Sequence, residues 1–165
     1  MASHKESPWP FRVFLAIGAV GAAMVGRAFA AGYDTDEIAP PPSPEFVQKV
    51  RELVTALDFA GIKVKVGPLT RSLAAEQRAY DSGRSAINPW KSKHLVSKAV
   101  DVYPIDPSTG EPDYQGRRLE LFKRMVDVAK RLGWKSLAFN ADGSVRYLTS
   151  KSGARFWDGA HLERP

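Results

Sequence analysis

The chain has 165 residues, enough for one domain with a genuine core, and no cysteine, which excludes a disulfide framework, a thiolate metal site and a cysteine nucleophile. Any metal must therefore rest on histidine and carboxylate. The net charge of +6 suits a polyanionic partner, but basic residues are spread along the chain and interleaved with acids, as in Arg117-Arg118-Leu119-Glu120, so a solvated face is preferred and no nucleic-acid partner is expected.

Residues 1–30 read as a targeting segment: His4, Lys5 and Arg12 precede an apolar run from Val13 to Gly26, and Ala28-Phe29-Ala30 offers a small-residue cleavage site. The run falls short of the ~20 residues that span a bilayer, so export to the periplasm or cell envelope on a cleaved signal peptide is expected. The richness in Gly18, Ala19, Gly21, Ala22 and Ala23 also resembles the signal-arrest-release segments of some phage lysins, which would make the membrane association transient. Both forms of leader stay open. Residues 31–43 end in a proline-rich spacer, and the folded domain is expected over 44–165.

Ser43 can cap a helix with Pro44 at its first position, and Phe46, Val47, Val50, Leu53, Val54 and Leu57 recur at helical spacing until Gly61. Ile62, Val64 and Val66 alternate with Lys63 and Lys65 as a half-buried strand, which Gly67-Pro68 ends. A second helix is expected from a Ser72 cap to Gly83. Ala99 to Tyr103 is a short apolar strand apart from Asp101. A third helix is expected from about Arg117 to Gly133, with Leu119, Phe122, Val126, Ala129 and Leu132 on one face. Trp134–Phe139 and Val145–Leu148 read as a hairpin around Ala141-Asp142-Gly143. Helices and strands mix without βαβ alternation, which predicts an α+β fold: a small mixed or antiparallel sheet with flanking helices.

Beyond the leader the sequence has two histidines, His94 and His161. A catalytic zinc site needs about three nitrogen or oxygen ligands and one open position, and Asp101 supplies the third. An unpaired carboxylate is costly in an apolar strand, and a cation beside it explains its presence. Asp158, three residues before His161, is the candidate base, with Glu163 as second choice because it would share a side with His161 in an extended segment. Arg71, after a strand and turn, is the candidate for stabilising an oxyanion. Each residue also has a plainer reading: a capped surface histidine for His94, a solvated loop acid for Asp158. Arg84 is read as complementing a helix C-terminus rather than touching substrate. Of the large aromatics only Trp157 is taken as a site neighbour, the others being core candidates.

Ser92-x-His94, then Ala99-x-Asp101, then Asp158-x-x-His161, with Thr70-Arg71-Ser72-Leu73-Ala74-Ala75-Glu76-Gln77 upstream, resembles the D-Ala-D-Ala carboxypeptidase and L-Ala-D-Glu endopeptidase family of zinc peptidases. The likeness runs over residues 44–163. It implies the hedgehog/DD-peptidase fold, one zinc ion on His94, Asp101 and His161, Asp158 as general base, Arg71 as carbonyl or oxyanion stabiliser, and Ser92 as a contact to substrate or to a ligand. The implied substrate is the stem peptide of peptidoglycan, cut by a small monomer of the phage-endolysin type at the L-Ala–D-Glu bond. A D-Ala-D-Ala carboxypeptidase and a non-catalytic zinc-containing wall-binding module are the alternatives. Two departures stand out: Ser97 where the family has Gly three residues after the first ligand, and Ala160 where Pro is common.

Overall fold

In a computed structural model the protein is described over residues 39–164. The leader expected at 1–30 and most of the spacer lie outside the described residues, and no described helix is long and apolar enough to cross a membrane.

Helix α1 spans Pro44–Phe59, and its first turn is closed as the sequence predicts, with the Ser43 hydroxyl accepting from the Phe46 backbone N–H. Phe46, Val50, Leu53 and Leu57 fall on its buried face. Strand β1 is Val64–Val66, and α2 is Leu73–Asp81, capped by the Ser72 hydroxyl on Ala75 N–H. Two single 3₁₀ turns follow, Pro89–Lys91 and Lys93–Val96, and then strand β2 at Ala99–Pro104. Helix α3 covers Leu119–Arg131 and buries Phe122, Met125, Val126, Val128 and Ala129. Leu132, expected on that face, caps the helix C-terminus and is 39% exposed.

The rest of the chain is short strands: β3 Lys135–Ser136, β4 Tyr147–Thr149, β5 Arg155–Trp157 and β6 His161–Glu163. The main sheet runs β1-β2-β6-β3 with every pair antiparallel, and β4 and β5 form a separate ribbon. The expected α+β architecture with an antiparallel sheet is what forms.

The hairpin read from residues 134–148 is corrected in its pairing. Its turn exists, with Gly143 at φ +80° and Phe139 bridged to Val145. The two arms then part, Lys135–Ser136 joining β6 and Tyr147–Thr149 joining β5. The chain bends at buried Ala138, whose carbonyl accepts from both Arg146 N–H and the Trp157 indole. An alternating run shows which residues can form a ladder, not which neighbour offers the free edge.

The two faces of the sheet are divided by the period of two. Val100 and Val102 on β2 and Leu162 on β6 are fully buried with Leu53, Leu57, Phe122 and Met125, each side chain contributing about 1.5–3 kcal/mol of burial. Asp101 and His161 alternate with them and therefore emerge on the opposite face. One face makes the core; the other displays polar groups on a rigid support.

Candidate metal centre

Asp101 and His161 are direct cross-strand partners in the β2–β6 register, which sets their side chains side by side. His94 arrives from the second 3₁₀ turn, where the Ser92 hydroxyl accepts its backbone N–H at 3.3 Å. All three are buried, at 4% exposure for His94, 6% for Asp101 and 8% for His161. His94 Nε2 lies 3.2 Å from His161 Nδ1, and Asp101 Oδ1 lies 3.5 Å from the first and 3.4 Å from the second. Ligands about 2.0–2.1 Å from a metal in a tetrahedral set are separated by roughly 3.3–3.4 Å. The three atoms thus outline one face of such a tetrahedron, and the group could hold a metal ion.

The surroundings fit that use. Glu163 Oε1 accepts from His161 Nε2 at 3.0 Å, which leaves Nδ1 with a free lone pair when the ring is neutral. His94 Nδ1 is buried without a hydrogen-bond partner, alone in this among the described side-chain atoms. Burial by itself would raise the Asp101 carboxyl, but hydrogen bonds from His161 and His94 and the charges of His94 and Arg71 hold it well below the ordinary range. His161 is raised to about 10, because its hydrogen bonds to Asp101 and Glu163 outweigh the burial that opposes the charge. Three donors this close repel or share protons without a cation, and a divalent ion replaces those protons.

Asp158 sits on the link between β5 and β6 and lines the same cavity, of about 590 Å³, as His94, Asp101 and His161. Burial raises its carboxyl, which the nearby His161 opposes and Asp101 reinforces. Its position is set by its neighbours. Trp157 packs edge-on against Phe122 and Phe139 and donates its indole N–H to the Ala138 carbonyl at 2.8 Å. A Cβ at Gly116 would come 2.0 Å from that indole and one at Gly159 2.4 Å, so both glycines are needed to seat the ring. Trp157, half-buried, packs against the core, lines a smaller pocket with Asp158 and Gly159 rather than the 590 Å³ cavity, and anchors the base candidate beside it.

Arg71, the candidate oxyanion stabiliser, lines the cavity and is partly exposed. Its guanidinium donates through Nη2 to Asp101 Oδ2 and through Nη1 to Glu76 Oε1 at 3.4 Å. Asp101 thereby faces the two histidines with one oxygen and Arg71 with the other. Arg71 thus also orients a carboxylate of the metal group. Glu76, 2% exposed on α2, escapes sequence reasoning because a glutamate in a helix reads as surface. Glu163, the second choice for the base, is committed to His161. Ser92 caps the His94 turn and lines the cavity, and Arg84 lines it too, its Nε donating to Ser82.

Ser97 keeps the left-handed conformation usual for Gly there, at φ 53°, as the one non-glycine residue with positive φ among those described. That geometry costs a non-glycine residue about 1–2 kcal/mol. The Ser97 hydroxyl also accepts the backbone N–H of Ser43 at 3.2 Å, tying the start of α1 to the turn that carries His94. Ala160, at the other departure, is buried, and its carbonyl takes the Val102 N–H in the β2–β6 ladder.

No family model and no curated protein matches the sequence. Solved structures do. A vancomycin-resistance D,D-pentapeptidase VanY from a VanB-type cassette, a point mutant in complex with Zn(II), superposes with a TM-score of 0.51 at 14% identity, over 81% of this chain and 80% of that one. The LdcB LD-carboxypeptidase, whose structure concerns peptidoglycan recognition, gives 0.50 at 18% identity, over 79% and 68%. The Serratia marcescens L-Ala D-Glu endopeptidase ChiX gives 0.48 at 18% identity, over 75% and 80%. The chain thus has the hedgehog/DD-peptidase fold of VanY and LdcB. On that fold it carries a buried His-Asp-His group able to take a metal.

Proposed function

We propose that this protein is a zinc peptidase that hydrolyses peptide bonds in the stem peptides of peptidoglycan, with the L-Ala–D-Glu bond as its target. The observation that carries the reading is the buried triangle of His94 Nε2, Asp101 Oδ1 and His161 Nδ1, with Asp158 on the wall of the same cavity. The neighbours named for peptidoglycan recognition and for Zn(II) share the fold, which supports both the substrate class and the metal.

His94, Asp101 and His161 hold one Zn2+ in this reading, and zinc in such a set supplies Lewis acidity toward water and toward a carbonyl oxygen. The chain's own groups do the rest. Asp158 takes the proton from the attacking water as its oxygen bonds to the peptide carbon, and returns it to the amine as the C–N bond breaks. A carboxyl raised by burial is a stronger base than an exposed aspartate, and the proton it takes from water is the one it returns to the leaving amine. Arg71 fixes Asp101, and through its partly exposed guanidinium adds positive charge beside the carbonyl. Glu163 fixes His161. Ser92 holds the His94 turn and offers a hydroxyl to substrate.

The reading includes delivery outside the cytoplasm by the leader at 1–30, a domain from 44 onward, and action as a monomer. The endopeptidase assignment draws on the likeness of the Gly- and Ala-rich leader to the signal-arrest-release segments of phage lysins. The second reading, a D-Ala-D-Ala carboxypeptidase, draws on the D,D-pentapeptidase name of VanY. Digestion of purified peptidoglycan and muropeptides with mass identification of products separates them: a free L-Ala terminus supports the first, loss of D-Ala alone the second. Metal content measured on the same sample completes the test, because zinc held without any released peptide would leave only a binding module.

A further inference from the structure

The charges on the cavity wall are unevenly spent. Arg71 is paired with Asp101 and Glu76, and Glu163 with His161. Arg84, Lys91 and Lys93 line the same cavity and have no carboxylate partner among the described residues, Arg84 making only its bond to the Ser82 hydroxyl. All three come from one segment, the connection between α2 and β2, and Lys91 and Lys93 flank Ser92 on either side. The field of Lys93 reaches as far as Glu163, the partner of a candidate ligand. The segment is held by short-range structure: Asn88 caps the turn that carries Lys91, and Ser92 caps the turn that carries Lys93 and His94. This wall carries three cations on capped turns and shares its cavity with the metal group.

Cations that line a cavity without an ion-pair partner leave their field available to a ligand, and an anionic group entering the cavity can draw on it. Resting on the peptidase reading above, we infer that the wall formed by residues 84–93 is a carboxylate subsite, in which Arg84, Lys91 and Lys93 receive the free carboxylates of the stem peptide. A D-Glu residue joined through its side chain brings a free carboxylate next to the bond to be cut, and a diacid amino acid beyond it brings another. The subsite makes the enzyme selective for stem peptides in the acid form over those in the carboxamide form. The fixed turns at Asn88 and Ser92 put the cations in place before the ligand arrives, so the gain appears as tighter binding.

The test is calorimetric binding to the zinc-loaded Asp158→Asn protein, which does not depend on turnover. The probe is a synthetic L-Ala–D-Glu–diaminopimelate tripeptide, used as the free acid and with its carboxylates converted to carboxamides. The acid form is expected to bind about tenfold or more tightly, with the advantage shrinking as salt is raised. Combining Arg84→Gln, Lys91→Gln and Lys93→Gln is expected to remove the advantage, and the Lys91→Arg, Lys93→Arg protein to keep it. Equal binding of the two probes by the parent, or an advantage that survives the triple substitution, overturns the subsite. The fate of the peptidase reading is read separately from digestion by the parent enzyme.

Discussion

Two aspartates five residues apart, Asp101 on β2 and Asp106 just past its end, both have carboxyls held below the ordinary range by hydrogen bonds and a nearby cation, one buried and the other near the surface. Asp106 is near the surface and draws on Arg118, at 2.7 Å, and on the hydroxyl and backbone of Ser108. Asp101 is buried, so its carboxyl is stabilised against desolvation by two histidines and an arginine that converge from β6, the His94 turn and the loop before α2. A lowered carboxyl therefore marks any well-bonded aspartate. What distinguishes the site is the convergence of three buried groups able to hold a metal ion, and a second carboxyl nearby, Asp158, shifted the other way.

The comparison breaks most sharply at Asp101. Asp101→Asn keeps the shape and removes the charge, so zinc affinity measured by competition with a chelator should fall more than about a hundredfold, and hydrolysis with it. Retained zinc would strip Asp101 of its ligand role. Next in size is Asp158→Asn, which should lower kcat by roughly 10²–10⁴ while zinc stays bound. Since burial raises this carboxyl, the parent's activity should fall as pH drops through a value above the ordinary aspartate figure of about 4, and that acid limb should vanish in the residual activity of the variant.

Glu163→Gln comes third. It replaces the charged acceptor on His161 Nε2 with a neutral amide, and should weaken zinc binding about 10–100-fold, with kcat at saturating zinc largely recovered. A loss of kcat at full occupancy would instead restore Glu163 as a proton carrier. Arg71→Ala frees one Asp101 oxygen in a buried setting and should lower stability by about 1–3 kcal/mol in denaturant titration, with Arg71→Lys recovering only part, because a single ammonium cannot reach both carboxylates as the fork does. Smallest is Asp106→Asn. Its folded carboxyl is depressed, so the stability it lends is present above about pH 4 and lost as pH falls through the lower folded value. The variant's thermal midpoint should match the parent's at acid pH and differ little at pH 7, as for exposed pairs.

Much of the frame was legible because its signals are local. The Ser43 and Ser72 caps, the 3.6-residue apolar spacing of α1 and, Leu132 apart, of α3, the alternation of β1 and the short apolar run of β2 each depend on a few neighbouring residues, and these formed as read. The ligand set was legible for a different reason: a carboxylate inside an apolar strand and two histidines in short motifs leave few alternative uses. The seat of the Trp157 ring was not legible, because an aromatic beside a base candidate looks the same in sequence whether its ring faces a cleft or packs on a core. Only the slot between Gly116 and Gly159, brought together over 43 residues of chain, decides it.

The sequence by itself thus determined the helices, the central strand and the residue types able to hold a metal, since these follow from short-range periodicity and the high cost of burying charge. The tertiary structure decided the pairing of β3, β4, β5 and β6, the commitment of Arg71 to Asp101 and Glu76, the use of Glu163 on His161, and the unpaired cations of the 84–93 wall. These depend on which groups meet across long stretches of chain. A side chain's donors and acceptors are the same in every fold, and only the packed molecule determines which of them are left free.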